Sequence, residues 1–476
     1  MSALLISRVW LDSEANNIAP LEIFAAAADT DFRCFWRSPT EDRTLVGVGV
    51  AAEWVGESST RQEAATFVEE LDYVGDTPIL LGGFAFRASA QSADNLRAAD
   101  SFWAGFPLGR LILPKVLLLL PSADEPAEAI LAGKKSEKLL ATLLSRAQLS
   151  EIVSADLATD LTTAIASQEH ELDDSELDDS ETGGEEAGYE EADDTAISDY
   201  RQLLHEAVEA VNSGELKKVV VARQVRNDYC PAPEDVIRRL CERGDSSTVF
   251  AFTSANDKNT TASSVFAGAS PELLAEKSGD CFSSLALAGS KPLHEADLLL
   301  SDPKEIAEHQ YVVDHMHLRL EETGAELTPT DQPEVLRLAN IAHLASRVSG
   351  ETPDSILELV EVLHPSPAVA GVPTNAALEF LDRHESFDRG WYAGPVGWLT
   401  PDGEGRFFVA LRSILINPDE CILFAGSGIV DGSCPEKEEQ ETWLKLQTAM
   451  ETLLPPSSAN SATSPATTSS LAVSSK

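Results

Sequence analysis

Two stretches of the chain combine carboxylates and cations at helical spacing. Glu438, Glu441 and Lys445 stand at i, i+3 and i+7, so one helical face would carry two carboxylates and an ammonium group. Upstream, Glu305 and Glu308 again lie three residues apart. Two helices that each offer a carboxylate to one cavity provide the oxygen ligands that Mg²⁺ takes. Taken alone, each stretch is more often a solvated helix face with an intrahelical ion pair.

A cation and a glycine-rich segment precede the second acidic stretch. Arg412 lies in an apolar run that predicts a strand, and residues 425–430 read as a glycine-rich turn. The helix that follows begins at Pro435, and proline suits the first turn of a helix. This order of features indicates a place for both an anion and a cation.

A β-branched run at residues 216–223 predicts a strand that carries two lysines. Alternation puts Lys218 on the face of Val220 and Lys217 on the opposite face, so one lysine is expected to point inward. A lysine among valines is desolvated, which disfavours its charged form and makes it a candidate general base. From this segment alone, a lysine that reaches out to solvent at the strand's start is the commoner outcome.

A single glutamate follows a second predicted strand. Glu272 comes after Ser270 and Pro271, and small residues and a proline place its carboxyl at the strand's end. The ordinary interpretation of such a glutamate is a residue in the first turn of a helix. An acid at this position becomes interesting only if the fold brings it near the lysine.

Composition limits the ligands that the protein can bind. The chain has 476 residues, of which 43% are hydrophobic, enough for a sizeable core. Its 79 acidic and 35 basic residues give a formal net charge of -44, which argues against nucleic acid or an anionic membrane surface as partners. An anionic substrate therefore needs a local basic pocket.

The cysteines and the apolar segments bear on the compartment. The six cysteines are scattered without a CxxC pair, which fits a reducing cytosol better than a disulfide framework or a zinc site. We find no signal-peptide pattern, and Pro114 and Lys115 interrupt the richest apolar stretch. We expect a soluble cytoplasmic protein that has no contact with a membrane.

Composition also divides the chain into four parts. Residues 1–165 alternate short apolar runs with turn signals and predict strands with a few helices. Residues 166–196 are dominated by acid and contain no lysine or arginine, so we expect a disordered insertion; an interaction tail is the less favoured alternative. Residues 197–454 hold the chemistry, and residues 455–476, rich in Ser, Thr, Ala and Pro, predict a disordered tail.

From about residue 199 to 454, an ordered series of motifs resembles the chorismate-utilising enzymes, which include isochorismate, anthranilate, aminodeoxychorismate and salicylate synthases. The motifs are the strand from Lys218 to Arg223, the segments at 266–274, 285–290 and 364–373, the segment at 387–398 and the C-terminal set from 409 to 445. The resemblance implies an α+β fold in which large antiparallel sheets flanked by helices form one catalytic unit. It also implies that the N-terminal part completes the sheets.

Within that family, the strand from Lys218 and the segment from His364 are similar to the isochorismate synthase branch. Amine-adding members usually carry Pro-Ala-Gly-Thr followed by Gly-Ala-Pro-Lys, whereas here the segment ends Gly371-Val-Pro-Thr374 without a lysine. The resemblance therefore implies Mg²⁺-dependent isomerisation of chorismate to isochorismate. A salicylate synthase and a non-catalytic chorismate-binding subunit are the rival interpretations, and the pathway served (menaquinone, catechol siderophore or salicylate) stays open.

The resemblance also assigns roles to residues. It implies Lys218 as the base and Glu272 as the acid, with Mg²⁺ held by Glu308 and Glu441 and by Glu438 through water. The positions that match substrate contacts in the family are Gly289, Ser290, Ala368, Arg412, Gly426 and Lys445. His343 and Tyr392 also sit in family motifs, where a buried hydrogen-bonding role is at least as common as substrate contact. We expect a monomer that needs no glutamine amidotransferase subunit.

Overall fold

The computed structural model describes residues 3–11, 19–41, 43–56, 61–87, 101–121, 127–133, 135–146, 194–255 and 263–453. The predicted acidic insertion up to residue 193 and the predicted C-terminal tail lie outside these residues. The strands are β1 (Leu4–Trp10), β2 (Arg33–Ser38), β3 (Arg43–Gly56), β4 (Tyr73–Gly75), β5 (Leu80–Phe84), β6 (Gly109–Pro121), β7 (Glu128–Ala132), β8 (Lys218–Asn227), β9 (Thr248–Thr253), β10 (Val265–Ser270), β11 (Leu273–Ser278), β12 (Cys281–Pro292), β13 (Glu326–Leu327), β14 (Glu334–Arg337), β15 (Ile341–Glu351), β16 (Gly371–Val372), β17 (Pro395–Leu399), β18 (Gly405–Val409), β19 (Ser413–Ile416) and β20 (Cys421–Val430).

Helices occupy the faces and edges of these strands. They are α1 (Pro20–Ala26), α2 (Arg61–Glu69), α3 (Ser136–Arg146), α4 (Asp194–Asn212), α5 (Pro233–Glu242), α6 (Pro303–Glu322), α7 (Ile356–Leu363), α8 (Thr374–His384) and α9 (Pro435–Leu453), with a 3₁₀ helix at Leu293–Ser301. No helix of the described residues combines the length and the apolar character needed to cross a membrane. All six cysteines are described, and none forms a disulfide.

The two longest strands, β3 and β6, pair with each other. Two series of paired strands, here called the first and second arm, start from this central pair. The first arm runs from β3 through β2, β9, β10, β19, β20 and β8 to β16. The second arm runs from β6 through β5, β17, β18, β11 and β12 to β15, which also pairs with β13 and β14. Among the described pairings only β1 with β4 is parallel. The predicted α+β class with large antiparallel sheets and flanking helices is confirmed.

Strands from the first 146 residues continue both arms. In the first arm, Trp36 of β2 lies opposite Phe250 of β9. In the second arm, Gly82 of β5 lies opposite Gly397 of β17. The part of the chain in which the sequence shows no catalytic constellation therefore joins the same sheets as the part that holds the chemistry.

One hydrophobic cluster lies between the arms, and a second lies on the outer face of the first arm. The inner cluster includes Phe266 of the first arm and Phe407 of the second, with Trp103 in a T-shaped contact to Phe266 at 5.2 Å. The outer cluster joins strands of the first arm to α5 and α9. Each buried side chain of this size contributes about 1.5–3 kcal/mol through the apolar surface that it removes from water. The arms are thus held face to face, with helices outside.

The first residues of α6 fix the helical face that carries Glu305 and Glu308. Asp302 caps α6 by accepting from the Lys304 backbone N–H at 3.0 Å, and Pro303 occupies the first helical position. The helix that the spacing of Glu305 and Glu308 predicts is therefore observed as α6.

Two local predictions near the C-terminus are wrong. Residues 425–430 form the end of strand β20 rather than a glycine-rich turn. Arg412 lies between β18 and β19 rather than on a strand, with a left-handed backbone at φ 49°. In both places tertiary packing decides. Gly428 makes room for Glu308 of α6, and the break between the strands turns Arg412 toward the buried His343.

Candidate active site

A cavity opens between the two arms, beside α6 and α9. The empty space between its lining residues is about 750 Å³, a figure that includes the part open to solvent. The first arm contributes Val220 of β8 and Gly426 of β20, and the second contributes Ser290 of β12 and His343 of β15. Glu308 of α6 and Glu441 of α9 complete the wall, so two helices do present carboxylates to one cavity.

Lys218 points inward and meets a carboxylate. Its side chain is 1% exposed, and Nζ lies 2.8 Å from Oε1 of Glu308, whereas Lys217 is exposed. Burial acts to raise the pKa of Glu308, but the charge and hydrogen bond of Lys218 outweigh it and lower that pKa. The sequence predicts only apolar valines around Lys218, whereas in the structure its ammonium group also forms an ion pair. Lys218 itself stands behind Glu308 rather than on the cavity wall.

Gly428 allows this ion pair to form across β20. A Cβ atom at position 428 would lie 2.3 Å from Oε1 of Glu308 and 3.2 Å from Cε of Lys218. Any larger residue would collide with the carboxylate. The glycines at 426 and 428 thus serve close packing in a strand.

Glu272 is a buried carboxyl that lacks a hydrogen-bond partner. It is 3% exposed, it lines the cavity, and its Oε1 has no partner among the described residues. Burial raises the pKa of Glu272 to about 8, against the opposing charges of Lys218 and Lys445. At neutral pH the side chain therefore carries a proton that it can donate into the cavity.

On α9, Glu441 and Lys445 pair as their spacing predicts, at 2.7 Å. Lys445 also donates to the backbone carbonyl of Gly426 at 2.9 Å, which fixes its ammonium group at the cavity wall. Glu438 instead turns away from the cavity, where it accepts from Ser427 Oγ at 2.6 Å and from Lys304 Nζ at 2.7 Å. The two glutamates of this helical face thus have different surroundings.

Glu305 is a site residue to which the sequence analysis gave no role. It accepts from the backbone N–H of Ser290 at 2.7 Å. Burial, together with the charge of nearby Glu308, raises the pKa of Glu305 to about 7. The signal was present in the i, i+3 spacing of Glu305 and Glu308. What the spacing could not show is that both face the carboxylates of α9.

The carboxylates of α6 and α9 suit a hard divalent cation. Burial raises the pKa of Glu441, and the positive charge of Lys445 lowers it. The negative charges of Glu438 and Glu308 raise it further, so the net pKa lies above its usual value. Within the described residues no three acidic, His or Cys side chains are grouped so that they could hold a metal ion. Lys218 pairs with Glu308, Lys304 with Glu438 and Lys445 with Glu441. Closely spaced oxygen donors that repel one another, with lysines as the compensating charge, fit Mg²⁺.

A hydrogen-bonded relay connects Arg412 to Ser290. Arg412 Nη2 lies 3.0 Å from His343 Nε2, and His343 Nδ1 lies 2.9 Å from Ser290 Oγ. Arginine can only donate, so Nε2 accepts and the Nδ1 proton is donated to Ser290. Burial, reinforced by the charge of Arg412, keeps the pKa of His343 well below its usual range, so the ring stays neutral. The hydroxyl proton of Ser290 is then left to point into the cavity.

Side chains take the place of a strand along part of β8. The partner strand β16 covers only Lys218 and Val219, and Val220 N–H is bonded to Ala370. Beyond that point, Arg389 Nη2 donates to the Val220 carbonyl at 2.6 Å, and Ala222 N–H donates to Glu385 at 2.9 Å. Arg389 and Glu385 form a buried ion pair. Arg389 lines the cavity and is a second residue whose role the sequence analysis missed.

All of the predicted site residues except Lys218 and Glu438 line this one cavity. They are Glu272, Gly289, Ser290, Glu308, Ala368, Arg412, Gly426, Glu441 and Lys445. His343 and Tyr392 lie there too, and His343 has the buried hydrogen-bonding role that was one of its two alternatives. The structure brings these residues together, while their roles in chemistry remain proposals.

The antiparallel two-armed fold and its cavity of paired carboxylates and cations point to one class of protein. A sequence profile described as chorismate binding enzyme matches residues 7–454. This match covers most of the chain, and the chain therefore belongs to the chorismate binding enzyme family.

Individual relatives refine the comparison. The isochorismate synthase MenF of Bacillus subtilis is 29% identical over 488 residues, which cover 94% of this chain and 92% of the relative. The salicylate biosynthesis isochorismate synthase of Pseudomonas aeruginosa is 39% identical over 260 residues, which cover 52% of this chain and 53% of the relative. The solved structure of the menaquinone-specific isochorismate synthase MenF of Escherichia coli has a TM-score of 0.68 at 23% identity, covers 95% of both chains and supports the fold.

Proposed function

We propose that this protein is an isochorismate synthase, an isomerase that interconverts chorismate and isochorismate. The observation that carries the proposal is the buried Glu272, whose Oε1 has no partner among the described residues, in a cavity whose wall also holds Lys445 and Arg412, with Lys218 behind that wall. One acid, one candidate base and two cations are what hydroxyl exchange on a dicarboxylate requires. The family match and the relatives named isochorismate synthase support the same conclusion.

The residues perform the exchange by moving two protons. Lys218, as a neutral amine, takes a proton from the water that attacks ring carbon 2 of chorismate. The ring double bonds shift, the bond from carbon 4 to its hydroxyl breaks, and Glu272 gives its proton to the departing oxygen. The products are isochorismate, a water molecule formed from the departing hydroxyl, an ammonium on Lys218 and a carboxylate on Glu272. Reversal of the same transfers makes the reaction reversible.

Lys218 must lose its ion pair to act as a base. Its ammonium group lies 2.8 Å from Oε1 of Glu308 in this structure, so Lys218 must leave that carboxylate to reach the attacking water. Glu308 and Glu441 would hold Mg²⁺, whereas Glu438, which points away from the cavity toward Ser427 and Lys304, would reach the metal only through water. When bound, the metal supplies a positive charge that holds and orients the ring carboxylate of the substrate.

Basic groups on the wall compensate for the acidity of the whole chain. Arg412 Nη1 is buried and has no hydrogen-bond partner among the described residues, so it can donate to a carboxylate. Burial lowers the pKa of Arg412 only to about 10, so the guanidinium stays charged at neutral pH. With Lys445 it gives the local basic pocket that an anionic substrate needs.

Product analysis tests the proposal. The purified protein is incubated with chorismate, with and without Mg²⁺ and with ammonium as a separate addition. The products are separated by chromatography and identified by mass spectrometry. Isochorismate at equilibrium with chorismate, dependent on Mg²⁺ and indifferent to ammonium, is the expected result. Salicylate with pyruvate would make the protein a salicylate synthase, an aminated product would place it in the amine-adding branch, and no turnover would favour a non-catalytic chorismate-binding subunit.

The proposed metal ligands make a separate prediction. Glu441→Gln removes one carboxylate charge from the α6 and α9 set, and we expect Mg²⁺ affinity measured by titration calorimetry to fall at least about tenfold. Glu436→Gln, on an exposed position of the same helix, is the matched control and should bind Mg²⁺ as the unmodified protein does. Equal affinities for the two variants would remove Glu441 from the ligand set.

The proposal has consequences for partners. Water is the nucleophile, so no ammonia and no glutamine amidotransferase subunit are required. We propose a cytoplasmic monomer, which gel filtration of the purified protein would test.

A further inference from the structure

Arg61, the first residue of α2, is a buried cation far along the chain from the motifs of the active site. It is only 9% exposed, and its guanidinium lies 5.4 Å from the ring centre of Phe84. Nη1 pairs with Glu361 at 2.8 Å, but Nε has no partner among the described residues. Burying a guanidinium with a donor unpaired costs free energy, so the position calls for an explanation.

The explanation begins with His364. Arg61 Nη2 lies 2.8 Å from His364 Nδ1, and His364 Nε2 lies 2.9 Å from the carbonyl oxygen of Ala393. Since arginine has no acceptor, Nδ1 of His364 must accept, and the ring proton must therefore sit on Nε2 and be donated to Ala393. Burial, followed by the charge of Arg61, holds the pKa of His364 well below its usual range, so this neutral tautomer persists at neutral pH.

The residue at the end of this relay belongs to the cavity wall. Ala393 has a left-handed backbone at φ 59°, a conformation that costs free energy for a residue with a Cβ. Ala393 and its neighbour Tyr392 both line the cavity, and the Tyr392 ring stacks on Phe424 at 5.1 Å. The hydrogen bond from His364 is one of the contacts that hold this strained turn in place.

The same histidine begins a second stretch of the wall. His364 begins the segment that leads to Ala368 and Val369, which also line the cavity. Ala368 N–H is held by Ser366 Oγ at 3.2 Å. One buried imidazole therefore fixes two neighbouring parts of the wall, and Arg61 fixes the imidazole.

We propose that Arg61 is a positioning residue for the substrate wall, acting through the Nε2–H tautomer of His364 on the turn at Tyr392 and Ala393. This inference rests on the proposed function for its substrate, chorismate. It gives the N-terminal part of the chain a specific task in addition to its strands. Arg61 touches no reacting atom, so its removal should weaken substrate binding more than it slows proton transfer.

Steady-state kinetics with matched variants test the proposal. For Arg61→Met we expect the KM for chorismate to rise about fivefold or more while kcat changes less than about twofold. Arg110→Met is the control, because Arg110 is an equally buried arginine of the N-terminal part whose partners Glu53 and Thr253 do not line the cavity. Its KM and kcat should stay within about twofold of the unmodified protein, although both variants lose stability.

Two further measurements keep the test decisive. Arg61→Lys retains one donor for His364 and should return KM to within about twofold of the unmodified value. Nitrogen-15 NMR of histidine-labelled protein, with the His364 signals assigned by His364→Asn, should show the proton on Nε2 in the unmodified protein. This measurement needs no turnover, so it tests the hydrogen bonds from Arg61 through His364 to Ala393 even if the protein makes no isochorismate. An unchanged KM in folded Arg61→Met, or a proton on Nδ1, overturns the proposal.

Discussion

Lys218→Ala is expected to lower kcat for chorismate isomerisation by roughly two to four orders of magnitude, the usual contribution of a general base. Lys218 is buried directly behind the cavity wall. Alanine has no basic group, so it cannot take a proton from the attacking water. Lys217→Ala is the matched control, because it removes the adjacent but exposed lysine of the same strand and should leave kcat and KM unchanged. Initial rates at saturating Mg²⁺ and chorismate measure both.

Loss of folding has to be separated from loss of the base. Lys218→Ala leaves Glu308 buried beside an empty space, which destabilises the fold unless the carboxyl takes up a proton. Circular dichroism and thermal unfolding at the assay temperature show whether the variant is folded. A folded Lys218→Ala protein with more than about a tenth of the original kcat would show that another group takes the proton from water.

Glu272→Gln should remove the acid while keeping its shape. We expect kcat to fall by roughly two to four orders of magnitude, because an amide cannot protonate the departing hydroxyl. In the unmodified protein, the activity that depends on protonated Glu272 should decline as pH rises through about 8, where the carboxyl loses its proton. A residual Glu272→Gln activity that shows the same decline would assign that titration to a different group.

Glu272→Gln, which should lower kcat, should raise the stability of the fold at high pH. The pKa of Glu272 is raised on folding, from about 4.5 to about 8, so the native state binds this proton more tightly than the unfolded chain. The free energy of unfolding therefore decreases as pH rises between these two values. Glutamine has no proton to lose, so Glu272→Gln should be more stable than the unmodified protein at pH 9, by a margin that shrinks toward pH 5. Thermal unfolding at both pH values measures this difference.

Local periodicity was enough to predict the direction of several side chains. Alternation along β8 placed Lys217 and Lys218 on opposite faces and so predicted that one of them points inward; the structure shows that this lysine is Lys218. The spacing of Glu441 and Lys445 likewise predicted their ion pair. Features set by a few neighbouring residues are those that a single sequence determines.

Contacts across the sheet could not be predicted in this way. Lys218 and Glu308 are 90 positions apart, and nothing near either residue indicates the other. The glycines of β20 looked like a turn because glycine is common in turns, whereas Gly428 serves the packing of α6 on the strand. The relay from Arg61 was invisible for the same reason, since its partners lie about 300 residues away.

The edge of β8 shows how a sheet can end beside a cavity without leaving its backbone groups unbonded. The short strand β16 pairs with only two residues of β8, and a bare edge beyond them would leave buried peptide groups without partners. Arg389 and Glu385 satisfy the groups of Val220 and Ala222 from the side, so the sheet ends early without exposing its backbone to pairing with another chain. Val220 and Arg389 both line the cavity, so at this place its wall is completed by side chains where the neighbouring strand ends.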